Sequence, residues 1–485
     1  MSSSRSSAET LSENLMESEA YKNRFRIYFL GLVISLACVF TPAFANSYMN
    51  GSVNTFKTFL NESFQRRGQE MSPSAYSWLW AAILNIWFPS FLLGQFLNPW
   101  VNEKMGRKLG AIAFNVLAFV AACLRFTSIL VYSPELLIVS AAMASVASSI
   151  TYNSMILMLQ ECSPTNVRGT VATIAENSNA FVSLVGMIVS MESVLGWDLR
   201  LLTGFALIPC LLAIFVLIPL YETPKHIYMR TKDIAQTHKA IYFYHGASTD
   251  VDKVMEEMKQ EINVESCEES SFKEILMTPH LRKALILGCL ALINTLGIWP
   301  LMLSSTDFLQ RVEIPLEIAS WASMVLMLVY LGGAIAASFV IERFGRRPAL
   351  LYCGSAGVVC LVGFVVSARL HYYVPFSKYL CVLFVLIYAV TYGLGVGTTV
   401  WYLNAELVQQ RHRSQVQMMC SVFIFPIVFF TTFTLFPLYD VIQEYAFLLL
   451  YALPAAGSLV YLYRELPETG GREIHEIVRE LRGLL

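Results

Sequence analysis

Twelve separate runs of about twenty apolar residues constrain this chain more than any other feature. A hydrocarbon layer about 30 Å thick takes roughly that length of helix to cross, and backbone polar groups inside lipid have to be satisfied within the helix itself. The runs fall at 27–46, 76–98, 110–132, 135–157, 170–194 and 199–220, then at 284–303, 319–341, 349–369, 379–402, 415–437 and 443–464. Of the 485 residues 56% are hydrophobic and 14% charged, against roughly a quarter charged in a soluble domain. A formal net charge of -1 gives no reason to expect nucleic acid, so the lipid bilayer is the partner these totals imply. Most of the ten cysteines sit inside apolar runs and read as small core residues, not as a disulfide framework.

The expected architecture is an all-α membrane protein with twelve transmembrane helices in two six-helix bundles. Its parts are an N-terminal tail (1–26), a first bundle (27–220), a linker (221–283), a second bundle (284–464) and a C-terminal tail (465–485). The first tail is serine-rich and expected to be disordered; it carries no cleavable signal pattern. The linker mixes charges and apolar residues at helical spacing over 233–246 and 252–264, which predicts short surface helices. With both termini and the linker in the cytoplasm, 26 of the 34 basic residues lie inside, the bias of the positive-inside rule. That orientation puts the sequons at Asn50 and Asn61 outside, as candidate glycosylation sites.

The two halves repeat. Gly94, Glu103, Gly106, Arg107 and Lys108 recur 239 residues on as Gly333, Glu342, Gly345, Arg346 and Arg347. Glu161 and Arg168 recur 245 residues on as Glu406 and Arg413, and Glu222 recurs 246 residues on as Glu468. Three motif pairs in the same order indicate a duplicated six-helix unit. Every motif falls at a cytoplasmic helix end, where glycine permits a tight turn and cations stay at the water boundary. The expectation is a ring of ion pairs between the halves, formed when the cytoplasmic side is shut and parted when it opens.

At these residues the chain resembles the major facilitator superfamily, and within it the sugar-porter branch that includes the animal facilitative hexose transporters. The strings that carry the resemblance are Glu103-Lys104-Met105-Gly106-Arg107-Lys108, Glu161-Cys162-Ser163-Pro164 with Val167-Arg168-Gly169, and Tyr221-Glu222-Thr223-Pro224-Lys225. In the second half they are Ile341-Glu342-Arg343-Phe344-Gly345-Arg346-Arg347, Trp401 with Ala405-Glu406-Leu407, and Pro467-Glu468-Thr469. The resemblance implies alternating access around a central cavity, facilitated diffusion of a monosaccharide-like solute, a plasma-membrane location and a monomer. It implies no cofactor, metal or enzymatic activity. A transporter-like sensor or scaffold without turnover, or a carrier of a non-sugar solute, is the alternative.

The resemblance weakens at the substrate positions. Where the family carries hexose-binding amides, this chain has Glu176 in span 5, Ile293 and Asn294 in span 7, Trp299 a little further on, Tyr330 in span 8, and Ile424 and Val428 in span 11; the family's tryptophan survives as Trp401. Sugar hydroxyls need paired donors and acceptors, so this pocket is expected to suit a less polar cargo. Glu176, Asn294, Trp299, Tyr330 and Trp401 are the pocket candidates. Glu176 sits about 12 Å along its span from Arg168 and reads either as a substrate or proton site or as a neutral acid bonded to its neighbours. Arg125 is expected to snorkel to the outer surface.

Overall fold

The computed structural model describes residues 2–163, 168–246, 249–266, 272–409, 412–470, 472 and 474–482; the side chains of Arg168 and Glu342 lie outside the described set. Eleven helices are long and apolar enough to cross a membrane. The helix Arg168–Val189, with the shorter apolar stretch Ile174–Val189, supplies span 5, which completes twelve among the described residues. Spans 1–4 and 6 are Phe25–Gly51, Pro73–Lys104, Arg107–Val131, Pro134–Glu161 and Leu199–Leu217. Spans 7–12 are Pro279–Arg311, Leu316–Ala337 within a helix running to Phe344, Arg346–Leu370, Pro375–Trp401, Gln415–Ile442 and Tyr445–Glu465. Each covers one of the apolar runs. Large apolar side chains stand on the outside, Ile208, Phe339 and Val359 among them, as lipid-facing surfaces require.

Local chemistry sets the span starts. Spans 2 and 4 open on a serine whose hydroxyl accepts a backbone N–H, Ser72 from Ala75 and Ser133 from Leu136, with proline at the first helical position of each. The first helix begins at Ser2, so the lead-in expected to be disordered is helical; it has neither proline nor glycine before Gly31. The first connection, expected as a loop, contains the helix Val53–Arg66, whose Phe56, Phe59 and Leu60 are buried.

Departures from regular helix occur inside several spans, among them a break at Ile86 in span 2 and a π-helical turn at Leu448–Ala452 in span 12. Span 7 breaks between Ile293 and Ile298, where Asn294, Thr295 and Leu296 form tight turns back to Ala291, Leu292 and Ile293. It kinks again at Ser304, with φ -154° and ψ 26°. Span 10 carries a π-helical turn at Tyr392–Val396, a feature that recurs at functional sites. Here a Cβ on Gly393 would stand 2.8 Å from the Tyr330 carbonyl, so glycine is what lets spans 8 and 10 touch.

Both termini lie at the linker end of the bundle. Arg26 stands over the Phe243 ring of the linker helix Ile234–His245, and Arg482 reaches His280 at the start of span 7. We call this end the linker face and the opposite end the distal face. Tyr244 ties the linker helix down by donating to the Tyr221 carbonyl at 2.5 Å. Beside it, burial holds the His245 imidazole down to about 4. An unfolded histidine binds a proton near pH 6.5, so docking of this helix is fully supported above that pH and weakens as pH falls toward 4. Hydrogen exchange over 234–245 should show protection lost across that window, by up to about 3 kcal/mol. His245→Leu should flatten the dependence; an unchanged pH profile in that variant would contradict this origin.

Candidate functional site

At the linker face the repeated motifs build the same clamp twice. Glu222, just past span 6, accepts the backbone N–H groups of Arg107 and Lys108 at 3.1 Å and so caps the N-terminus of span 3. Glu468, just past span 12, does the same for Arg346 at 2.9 Å and Arg347 at 3.1 Å. A carboxylate is suited to this place because a helix N-terminus presents free N–H groups and positive dipole charge. Gly106 and Gly345 precede the capped residues with φ +94° and +88°, and a Cβ there would run into the capping carboxylate. Arg107 then binds Glu161 through Nε at 3.1 Å and Nη2 at 2.8 Å, and Thr223 donates to the same carboxylate at 2.5 Å. In the second half Arg346 Nε and Thr469 each meet Glu406 at 2.7 Å.

The ring of ion pairs expected between the halves belongs to the state shut at the linker face, whereas this structure is shut at the distal face. The ion pairs described at the linker face lie within one half or tie a half to the linker, among them Lys283 with Glu465 and His412 with Glu274. Turn and cap geometry explains this, since each acid reaches the helix end beside its own span. Glu103 is exposed, with no ion pair among the described residues, and none is described for Lys108 or Arg413. The roles expected of Arg168 and Glu342 rest on side chains outside the described set. The clamps bind each six-helix half into a unit.

The halves meet at mid-span and along the distal face. At mid-span, Trp87 stacks on Phe91 with ring centres 4.5 Å apart, Phe88 meets Trp299 edge-on at 5.5 Å, and Phe91 meets Phe425 at 5.2 Å. Glu176 is half-buried at the same level and accepts from the Tyr152 hydroxyl at 2.5 Å. The span 5 helix that carries Glu176 packs against span 8 of the second half, where Tyr330 meets Tyr392 with rings 5.8 Å apart. Thus Glu176, Tyr330 and Trp299 stand at the seam. Trp401 is half-buried further toward the linker face. Asn294 donates to Ser458 at 3.0 Å and lines a cavity with Gly354, Tyr392 and Tyr451.

Above this layer three polar contacts close the distal side. Thr432 donates to Asn85. Ser77 donates to Asp440 at 2.6 Å, and Arg311 holds that same carboxylate at 2.8 Å and Asp307 at 2.9 Å. The third is Asn50. Its amide donates to the Met302 carbonyl at 3.0 Å and Ser305 Oγ at 2.9 Å, and its oxygen accepts from Thr306 N–H at 3.1 Å. The kink at Ser304 frees backbone groups from their helical partners, and Asn50 supplies replacements across the seam. Its side chain is fully buried, which corrects its reading as a glycan acceptor; Asn61 is half-exposed. Arg125 is also corrected, being buried within the first bundle, not at the surface. Sequence reasoning missed Asn50 as a contact, and with it Asn85, Tyr152 and the Trp87–Phe91 cluster. A polar residue inside an otherwise apolar run was the available signal for Asn85 and Tyr152.

Two duplicated six-helix units, shut against each other on one side and clamped separately on the other, define an alternating-access membrane transporter of the major facilitator fold. The chain matches the family described as Sugar (and other) transporter over residues 34–481 and belongs to it. It is 25% identical over 465 residues to the human solute carrier family 2, facilitated glucose transporter member 9, covering 92% of this chain and 84% of that protein. It is 26% identical over 465 residues to the human member 7, covering 92% and 89%. Among solved structures, the inward open conformation of the xylose transporter XylE from E. coli has a similar fold, with TM-score 0.75 at 16% identity over 93% of this chain and 99% of that one.

Proposed function

We propose that the protein is a plasma-membrane facilitator with its linker and termini in the cytoplasm, carrying a small organic solute of monosaccharide size or less, and less polar than a free hexose, down its gradient. The observation that carries this reading is the mid-span layer: rings of the two halves meet there, Phe91 with Phe425 and Phe88 with Trp299, and the layer also holds the Tyr330–Tyr392 ring pair and the acid–phenol pair of Glu176 with Tyr152. Aromatic faces bind apolar or flat surfaces of a solute, and a few polar groups orient it. A hexose in such a site would leave several hydroxyls unmatched, each at a cost of about 1–3 kcal/mol. The names of the facilitated glucose and xylose transporters that resemble this chain support the general class of cargo. In this reading the clamps keep each half rigid, the halves rock about the mid-span layer, and the chain acts as a carrier, not an enzyme.

Glu176 favours one second reading. An acid at mid-span that is reachable from the seam can exchange a proton with each side in turn, which would couple transport to a pH gradient. Uptake by the purified protein in liposomes separates the two, using labelled glucose, a deoxyhexose, a polyol and a nucleoside, each with and without a pH gradient. The expected result is saturable uptake of a less polar solute, insensitive to the gradient, with glucose at least tenfold poorer. Saturable glucose uptake abolished by Trp401→Ala would overturn the cargo reading. Gradient-driven accumulation abolished by Glu176→Gln would replace facilitated diffusion by symport.

A further inference from the structure

Within the first bundle, two residues along span 1 from the seam residue Asn50, lies a second polar feature. Spans 1, 3, 4 and 6 enclose a cavity lined by Thr41, Tyr48, Arg125, Ala144, Thr203 and Cys210 among others. Arg125 is 7% exposed and Tyr48 1%. Counting from Val131, the Arg125 Cα lies about 9 Å below the distal end of span 3. A guanidinium is charged at any physiological pH, yet no carboxylate lines this cavity. The acid at the distal end of span 4, Glu135, is held by Arg67 instead.

The hydrogen bonds sharpen this imbalance. Arg125 Nη1 donates to the Tyr48 hydroxyl at 3.0 Å, and the cation stands 5.9 Å from the same ring. That uses one of five N–H donors, and a phenol neutralises no charge. Tyr48, having accepted from Arg125, has no described acceptor for its own proton. The other polar groups offer no acceptor with a charge: Thr203 donates to the Leu199 carbonyl at 2.6 Å, and Thr41 pairs with Cys210 at 3.2 Å. The walls therefore present a buried positive charge with donors left over. A buried charge of this kind is stable only when an opposite charge joins it.

We infer that this cavity binds a small monovalent anion of halide type, held by Arg125 and the Tyr48 hydroxyl, as a structural counter-ion of the first bundle. Its size sets the class. It gives room for the centre of a water-sized sphere over about 20 Å³, on the order of one or two waters. Chloride fits that space, whereas phosphate, carboxylate solutes and lipid headgroups exceed it. Water alone would fill the space but would leave the charge uncompensated.

The test uses the full-length protein purified in detergent, with chloride titrated against gluconate at constant sodium and ionic strength. The readout is the midpoint of thermal unfolding. A ligand of the folded state raises that midpoint with the logarithm of its concentration, so chloride should do so and bromide should replace it. Tyr48→Phe keeps the ring and the cation but loses the hydroxyl donor, and should need about tenfold more chloride for the same rise, as loss of one hydrogen bond to an ion implies. Arg125→Gln, where it folds, should show no chloride response. Equal midpoints in chloride and gluconate would overturn the inference, and so would a chloride response that Tyr48→Phe leaves unchanged. Neither outcome depends on which solute is transported.

Discussion

Replacing Arg107 by alanine should destabilise the first bundle by about 3–5 kcal/mol, the usual consequence of removing one member of a buried ion pair. The partner left behind, Glu161, keeps only 8% of its side chain exposed, and Arg107 itself 14%. Without the guanidinium, that carboxylate retains the Thr223 hydroxyl alone among the donors described, and His226 Nδ1 loses an Arg107 contact of 2.7 Å. The duplicated position answers differently. Arg346 and Glu406 are 32% and 25% exposed, so water can take over part of the lost interaction, and Arg346→Ala should cost about 1 kcal/mol. The thermal midpoints of the two purified variants, compared with the parent, check this. Equal losses would mean that sequence symmetry, not burial, governs the clamps.

Asn50→Ala should shift the resting population toward a form open on the distal side. The substitution strips partners from Thr306 N–H and the Met302 carbonyl, both supplied across the seam. Each buried group left unmatched costs about 1–3 kcal/mol in the closed form, whereas opening gives those groups water. Together the two groups amount to about 2–6 kcal/mol, so the equilibrium should move by roughly 1.5 to 4 orders of magnitude. Spin labels at Glu62 and Glu317, both exposed near the distal face on opposite halves, report it: the variant should gain a longer distance component that the parent lacks. An unchanged distance distribution would show that Asn50 does not hold the seam.

The spans were legible because lipid forces a helix to be long and apolar, and composition alone reveals such runs. The repeat was legible too, since the turn glycines, caps and clamp residues need particular side chains at fixed spacing. What those residues bind was not. Glu222 and Glu468 serve helix ends within their own halves, which depends on how each span packs, and a motif read along one dimension holds no such information. Asn294 illustrates the same limit at finer scale. The tight turns after span 7's first segment direct its amide to Ser458, a partner that no spacing in the sequence announces. Asn50 was hidden for another reason: its sequon suggested a surface role, and nothing in the run 284–303 announces a kink at Ser304 whose freed groups need a partner.

Glu176 lies between these cases. Its depth followed from counting residues, and its partner Tyr152 at 2.5 Å followed from neither spacing nor composition. Trp299 meets Trp87 and Phe88 of the other half, aromatic residues that read in sequence as ordinary apolar content.

The account rests on two rigid halves that must part on the distal side before solute can cross. A disulfide between cysteines in place of Ser77 and Asp440, whose side chains meet at 2.6 Å, tests that directly in liposomes. Oxidation should stop uptake of whichever solute is carried, and reduction should restore it. Uptake that continues at the same rate with the cross-link fully formed would contradict the account.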